Sequence, residues 1–352
     1  MDVLSYFFVV GALLWWKRPA AAGDALSEQF LGAFRAGLRY TRASHELHVV
    51  MLRAFVFFLF ASSVWALLPL VARQMLNGTA GFYGLLLGAV GVGAIAAAVL
   101  MPKLRVHLDV DGLVLLASWV TAALFFAPPR WLALVLLLLL GGGWIIALTT
   151  LNGVAQGILP NWVRGRGLAV YLTVFNGAMA AGSLAWGLVA QRIGVAPALL
   201  AGAVGLALVA LGFHRVRLPA GEADLQASNH WPEPLLADPV DHDRGPVLVL
   251  IEYLLRREDR AGFVEVMQRL SAERRRDGAY AWGLSEDSAD PERIVEWFLV
   301  ESWAEHLRQH RRVSKADADI QTEAAAFHRG PDPPKVQHLL ALNTAAPPVS
   351  RP

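Results

Sequence analysis

The chain has 352 residues, of which 55% are hydrophobic and 17% are charged, and its formal net charge is +2. Soluble domains carry about 25% charged residues, so this composition is typical of a membrane protein. The small net charge gives no sign of nucleic-acid binding, and we predict none. No cysteine is present, which excludes disulfides, cysteine zinc sites and cysteine nucleophiles.

The chain begins with a short apolar stretch. Val3–Trp16 is apolar, and Lys17 and Arg18 come directly after it. A secretory signal peptide carries its basic residues before the apolar run, so this pattern does not fit one. The stretch is also shorter than the roughly 20 residues that span a bilayer. Residues 1–16 are therefore predicted to be the tail of a transmembrane helix whose beginning is missing.

Residues 17–48 are predicted to form a cytoplasmic connector. Apolar and basic side chains alternate there at helical spacing, the apolar set being Phe30, Phe34, Leu38 and Thr41 and the basic set Arg35, Arg39 and Arg42. This pattern predicts an amphipathic helix over Leu26–His45 that lies at the membrane surface. A solvated linker helix is the alternative.

Residues 49–218 are predicted to contain six membrane-spanning helices. The six apolar runs are Val49–Arg73, Tyr83–Leu100, Leu113–Phe126, Trp131–Ile158, Leu168–Val189 and Pro197–Phe213. Basic residues concentrate in alternate loops, such as the pair Arg164 and Arg166, which orients those loops and both ends of the chain towards the cytoplasm. We therefore predict a multi-pass protein of a bacterial inner membrane with a cytoplasmic C-terminal domain. The glycines Gly84, Gly88, Gly91 and Gly93 are interpreted as positions of close helix packing.

Neutral polar residues are candidates for a substrate path through these helices. No acidic residue lies between Met51 and Met101 or between Leu113 and Phe213, so a proton-carrying acid would have to lie elsewhere. The predicted path residues are Trp65, Asn152, Gln156, Thr173 and Asn176. Hydrogen bonding between helices is an equally weighted alternative for the polar members.

The remaining chain is predicted to be soluble. Residues 219–245 have the composition of a linker, residues 246–342 alternate between strand and helix patterns, and residues 343–352 are predicted to be a disordered tail. The order β-α-β-β-α-β predicts a ferredoxin-like α+β domain.

A ligand pocket is predicted in that domain from Trp282, Trp297 and His306. No nucleophile or phosphate motif accompanies these residues, so ligand binding or homodimerisation is favoured over catalysis. His306 and His310 are one helical turn apart, and we interpret them as an exposed helix face rather than as a metal site. No cofactor and no metal are predicted.

Two runs resemble a known transporter family. RAFVFFLFASSVWALLPLVAR, starting at Arg53, and TLNGVAQGILPNWVRGRGLAVYLTVFNGAMAAGSLAWG, starting at Thr150, resemble the transmembrane secretion effector branch of the major facilitator superfamily, which includes enterobactin-exporter-like proteins. GAYAWGL and EWFLVESWAEHLRQH resemble the antibiotic-biosynthesis monooxygenase type of domain that often follows in this branch.

The resemblance implies half of a major facilitator fold, with six complete spans plus a partial one, in a form that lacks the N-terminal half. It implies export of a small hydrophobic or siderophore-like molecule, with the lipid bilayer and that substrate as partners. The loop Met101–Gly112 takes the place of the family's gating loop, and the implied cytoplasmic gate consists of Arg105, Asp109, Arg164 and Arg166. Arg164 is expected to pair with Asp109 in one state. The alternative function is a membrane-anchored monooxygenase-like or ligand-binding α+β domain.

Overall fold

The computed structural model describes residues 2–16, 30–104, 110–213, 218, 224–228, 231, 234 and 236–342. Within these ranges the first part of the chain is helical. The helices are α1 (Asp2–Trp15), α2 (Phe30–Ala43), α3 (His45–Leu70, extended by a π-helical turn at Val71–Met75), α4 (Ala80–Leu104), α5 (Val110–Phe125), α6 (Arg130–Gly157), α7 (Arg164–Ile193) and α8 (Val195–Phe213).

Of the described helices, five are long and apolar enough to cross a membrane. They are α3 with its π-helical turn, α4, α6, α7 and α8. These correspond to five of the six predicted spans. The other predicted span, Leu113–Phe126, forms α5, which has 16 residues and packs between α6 and α8. Because about 17–25 residues are needed to span a bilayer, a crossing by α5 stays a prediction.

Close backbone approaches pack this bundle. An alanine Cβ at Gly93 of α4 would overlap the Leu138 carbonyl of α6, and one at Gly141 of α6 would overlap the Val90 carbonyl of α4. Small residues allow helices to pack at this distance in a membrane. An added Cβ at the other predicted packing glycines of α4 meets no atom within 4 Å, these being Gly84, Gly88 and Gly91. Their predicted packing role is therefore wrong within the described chain.

The second part of the chain folds around a four-stranded antiparallel sheet. Its elements are β1 (Val247–Leu254), α9 (Arg260–Asp277), β2 (Ala281–Glu286), β3 (Arg293–Val300), α10 (Trp303–Arg312), α11 (Lys315–Ala326) and β4 (Lys335–Leu340), with the sheet order β2-β3-β1-β4. Alternation along β1 buries Val249 and Tyr253 against Phe263 and Met267 of α9. A capping box joins Ser314 and Asp317 and fixes the start of α11.

Part of the predicted linker packs on this domain. Ala227 forms a β-bridge with Ser314, and the Ser228 amide donates to the Val313 carbonyl at 2.9 Å. Further along, the Trp303 amide donates to the Arg244 carbonyl at 2.8 Å. These bonds satisfy backbone groups at both ends of α10, so this segment helps to position that helix.

Helix α2 lies between the bundle and the soluble domain, in contact with α3, α7 and α9. Ala36 and Tyr40 are buried there, whereas Phe34 of the predicted apolar stripe is 63% exposed. Thr41 of the same stripe is buried, so the protein buries part of the predicted stripe together with Ala36 and Tyr40, while Phe34 stays open to lipid or solvent. Placement of α2 at the membrane surface stays a prediction.

Candidate functional site

An aromatic cluster fills the centre of the bundle. The Trp65 and Trp144 rings meet edge to face with centroids 5.2 Å apart, and Phe58 packs on Trp144 at the same distance. Phe58 also contacts Phe175 of α7 at 4.4 Å. Edge-to-face pairs of this kind add to the stability of apolar packing. The predicted path residue Trp65 therefore belongs to a packed centre, together with Trp144, which the sequence analysis had not singled out.

The polar path residues lie on a different surface. Asn152 is half-buried, while Gln156, Thr173 and Asn176 are exposed. The Thr173 hydroxyl donates to the Ala169 carbonyl at 2.8 Å, and the Asn176 amide donates to the Leu172 carbonyl at 2.7 Å. Both side chains thus bond to their own helix, not to a neighbouring one. Thr173 and Asn176 lie on an exposed side of α7, whereas Trp65 lies in the aromatic cluster.

We define the polar face as the exposed positions of α7 that carry these residues, namely Ala169, Leu172, Thr173, Asn176, Gly177 and Ala180. They recur at the three- and four-residue spacing of one helix side. An added Cβ at Gly177 meets no atom of the described chain within 4 Å. In contrast, a groove of about 670 Å³ among the described helices is lined by apolar residues of α3, α5 and α8 and by none of the predicted path residues.

The turn between α6 and α7 contacts both α2 and the soluble domain. The Trp162 ring meets the Tyr40 ring edge to face at 5.7 Å. The Arg312 guanidinium of α10 lies over the same Trp162 ring at 4.5 Å, within the range of a cation–π interaction. The Tyr40 hydroxyl donates to the Ile158 carbonyl at the end of α6. The turn is therefore held between a connector helix and the docked domain.

Two of the predicted gate residues can be placed. The Arg164 Nε donates to the Leu159 carbonyl at 3.2 Å, and an added Cβ at Gly37 of α2 would lie 2.7 Å from the Arg166 Cβ. Both arginines thus tie the turn to its surroundings. Arg105 and Asp109 lie outside the described residues, so the pairing of Arg164 with Asp109 stays a prediction.

Charged residues dock the soluble domain on α2. Arg39 Nη2 lies 2.5 Å from Glu305 Oε1, and Arg312 Nη1 lies 2.7 Å from the same oxygen. Although burial opposes ionisation of Glu305, the charges of Arg312 and Arg39 lower its pKa to about 2. We call Arg39, Glu305, Arg312 and Trp162 the docking cluster. The residue spacing in the connector indicated that Arg39 belongs to a basic stripe, but it did not indicate Glu305 as the partner of Arg39.

A second group of charges lies beside the docking cluster. Arg276 Nη2 of α9 lies 2.6 Å from Asp317 Oδ1, and its guanidinium lies over the Tyr40 ring at 5.6 Å. Burial, followed by the charge of Asp317, raises the pKa of the neighbouring Glu273 to about 9. Asp277 adds to this rise, while Arg276 and Arg274 oppose it. Glu273 is therefore protonated in the folded protein at neutral pH.

Replacing Glu273 by glutamine is expected to stabilise the protein at alkaline pH. Its folded-state pKa is raised, so the stability that this carboxyl supports is complete below about pH 4.5 and is lost as pH rises towards about pH 9. Thermal unfolding of the full chain in detergent should show E273Q above the unsubstituted protein at alkaline pH and close to it in acid. The control E265Q changes an exposed residue of the same helix. Equal pH dependence of E273Q and unsubstituted protein would contradict the assignment.

Two of the three predicted pocket residues of the soluble domain lie on opposite faces of the sheet. The Trp282 Nε1 donates to Glu296 at 3.0 Å on the sheet face that packs against α9, and Arg274 binds the same buried carboxylate. Trp297 pairs in register with Gly283 on the opposite face, where its Nε1 donates to Ser285 at 3.1 Å. The structure therefore brings Trp282 and Trp297 to opposite sides of the sheet and forms no common pocket from them.

His306 lies in α10 with 1% of its surface exposed. Its ring is 4.6 Å from both the His310 and His338 rings, measured between centroids. Burial, reinforced by His310 and His338, lowers the pKa of His306 to about 2, and burial also lowers the pKa of His338. The interpretation of His306 as part of an exposed helix face is thus wrong.

The long apolar helices define a multi-pass membrane protein. The chain belongs to the transmembrane secretion effector family, whose model matches residues 1–346. Membership makes it a transporter of the major facilitator superfamily involved in efflux, with the lipid bilayer and a small-molecule substrate as its partners. It gives no support to the monooxygenase alternative. Comparison with curated proteins and with solved structures found no match.

Proposed function

We propose that helices α3–α8 form one six-helix half of an exporter, and that the polar face of α7 lines its substrate path. The observation that carries the proposal is the exposure of Thr173 and Asn176 midway along an apolar helix of 30 residues. Polar side chains within the membrane are costly when they face lipid, and they usually face a bundle interior or a water-filled cavity. This face is therefore expected to meet substrate and a second half.

The family's architecture supports this arrangement. Major facilitator transporters bind substrate near the bilayer midplane between two halves and alternate access by rocking them. Gln156 of α6 is also exposed, and we propose that it adds a second helix to the path. The aromatic cluster behind it gives that half a rigid centre. The amides and hydroxyls of the path suit a polar or amphipathic molecule, and the family resemblance favours a small hydrophobic or siderophore-like molecule as the exported substrate.

We also propose the orientation and the nature of the soluble part. Arg164, Arg166 and α2 lie on the side where the soluble domain docks, and basic loops stay in the cytoplasm of a bacterial inner membrane. The antiparallel order β2-β3-β1-β4 with α9 and α10–α11 as crossovers supports a ferredoxin-like domain over residues 246–342. This domain contacts Trp162, which lies in the turn that carries Arg164 and Arg166. The contact supports the proposal that the domain controls the cytoplasmic gate. A homodimer through the sheet face that carries Trp297 stays a prediction.

Accessibility to a hydrophilic thiol reagent tests the path without knowledge of the substrate. The chain has no cysteine, so single cysteines can be introduced without background labelling. In native membranes, T173C and N176C are expected to react at least about tenfold faster than I95C, because water reaches a transport path but not a lipid-facing position. Ile95 is an exposed apolar residue of α4 and provides the matched control. Equal resistance of all three variants would overturn the assigned path.

Transport itself is tested by efflux of hydrophobic dyes and catechol siderophores from cells that make the protein. For substrates that the unsubstituted protein exports, T173V is expected to slow efflux. T149V is expected to leave the efflux rate unchanged. Thr149 donates to the Ile145 carbonyl at 2.7 Å, much as Thr173 does to its own helix, but it is half-buried in α6. Efflux that is unaffected by T173V would contradict the role of the polar face.

A further inference from the structure

Three histidines converge in the soluble domain. His306 and His310 lie one turn apart on α10, and their Nε2 atoms are 3.1 Å from each other. His338 lies on β4, and ligand nitrogens of all three residues fall within 4.8 Å of one another. His306 is buried, and the other two are half-buried. The cluster therefore opens towards solvent on one side while its innermost member is enclosed.

The fold explains this convergence. Residues four apart on a helix project from the same side, which aligns His306 with His310. His338 pairs with Val249 of β1, a residue that is 1% exposed, so His338 lies on the sheet face that is covered by helices. Between α10 and β4 the chain forms α11. The pairing of β4 with β1 then brings His338 back beside α10.

The geometry fits a tetrahedral metal ion. Imidazole nitrogens bind Zn²⁺ at about 2.0–2.1 Å, which separates two nitrogens on one tetrahedral ion by about 3.3–3.4 Å. The 3.1 Å between His306 and His310 is close to this separation. The third nitrogen lies within 4.8 Å and needs a shift of about 1–1.5 Å, within the reach of a side-chain torsion of half-buried His338. Three histidines and one open position are the ligand set of several zinc sites.

Aromatic rings surround the cluster. The Trp303 ring packs against His306 at 5.4 Å and against His338 at 6.0 Å, and Trp231 packs against His310 at 4.6 Å. These rings hold the imidazoles in place and shield the site.

We propose that His306, His310 and His338 form a binding site for a divalent transition-metal ion, with Zn²⁺ as the ion that the geometry fits best. Imidazole ligands suit Zn²⁺, Co²⁺, Ni²⁺ and Cu²⁺, whereas Mg²⁺ and Ca²⁺ prefer oxygen. The ion joins β4 to α10, the helix that supplies Glu305 and Arg312 to the docking cluster. Metal occupancy would thus stiffen the surface by which the domain contacts the transporter.

Metal titration of the full-length protein in detergent tests this site. The protein is purified through a tag without histidine, stripped with a chelator and titrated with Zn²⁺ and with Co²⁺, whose visible absorption distinguishes four-coordinate from six-coordinate binding. We expect one ion per chain, a four-coordinate Co²⁺ spectrum and a Kd in the micromolar range or below. Absence of binding, or a six-coordinate spectrum only, would overturn the proposal.

Conservative substitutions locate the ion. H310Q and H338Q change the two half-buried members and are each expected to weaken binding at least about tenfold, because even the loss of an outer-shell partner commonly weakens metal binding about 10–100-fold. H328Q changes a half-buried histidine of the same domain outside the cluster and should leave binding unchanged. Equal binding by all three variants would place the ion elsewhere and refute the site. The readout is independent of transport, so it stands apart from the proposed export function.

Discussion

Reversing the charge of Arg39 in the variant R39E is expected to release the soluble domain from α2. The Arg39 side chain is 20% exposed and that of Glu305 is 9% exposed, so their ion pair is poorly screened by solvent. Removing one partner of a fully buried pair costs about 3–5 kcal/mol when the other charge is left unpaired. Glu305 keeps Arg312 as a partner and Arg39 is partly exposed, so we expect a cost of about 1–2 kcal/mol. R39E adds repulsion, because it places two carboxylates at the same contact.

Hydrogen exchange of the full-length protein measures the release directly. R39E should lose protection in α10 and in α2 while the spanning helices keep theirs. The matched control is R35E, one turn earlier on the same helix. Arg35 lies 3.9 Å from Glu301, and both side chains of that pair are more than half exposed, so little stability depends on it. Equal loss of protection in R35E and R39E would show that general surface charge, and not the docking cluster, holds the domain.

The same variant tests whether the domain controls the gate. Arg312 lies over the Trp162 ring only while α10 is docked, and Trp162 belongs to the turn that carries Arg164 and Arg166. Release of the domain is therefore expected to change the efflux rate in R39E and not in R35E. An unchanged efflux rate in a variant shown to be undocked would mean that docking of the domain has no role in gating.

The spanning helices were predictable because lipid imposes a local rule on sequence. A long apolar run must satisfy its backbone within itself, so length and hydropathy suffice to find it. The contacts between helices follow no such local rule. Gly84, Gly88, Gly91 and Gly93 look alike in sequence, yet of these four only Gly93 meets the backbone of another described helix. Which side of α4 faces α6 depends on the packing of the whole bundle.

In the soluble domain, too, local sequence patterns do not predict which elements come into contact. Strand alternation predicted the buried face of β1, since every second residue of a strand points to the core. The histidine pair of α10 was visible from its four-residue spacing, but its burial was not. The position of His338 beside that pair depends on the register of β4 against β1. Likewise, nothing near Arg39 in sequence indicates Glu305, which lies 266 residues further along the chain.

Replacing Gly141 by alanine is expected to destabilise the bundle strongly. Gly141 of α6 opposes Val90 of α4, and Gly93 of α4 opposes Leu138 of α6, so each helix inserts a glycine against the backbone of the other. An alanine Cβ at position 141 would overlap the Val90 carbonyl and lie 2.8 Å from the Val90 Cα. The clash is with backbone and not with a flexible side chain, so α4 and α6 must separate. Overpacking of this kind typically costs about 1–3 kcal/mol and sometimes more.

Gly153 provides the matched control because it lies on the same helix, where an added Cβ meets no atom within 4 Å. Alanine favours a helix over glycine by about 1 kcal/mol, so G153A should be neutral or stabilising. The same substitution on one helix is thus expected to act in opposite directions at the two sites. Thermal unfolding of the full chain in detergent will show it as a lower midpoint for G141A than for G153A. Equal midpoints would mean that α4 and α6 do not meet through this pair of glycines, and the packing of the helical bundle would need revision.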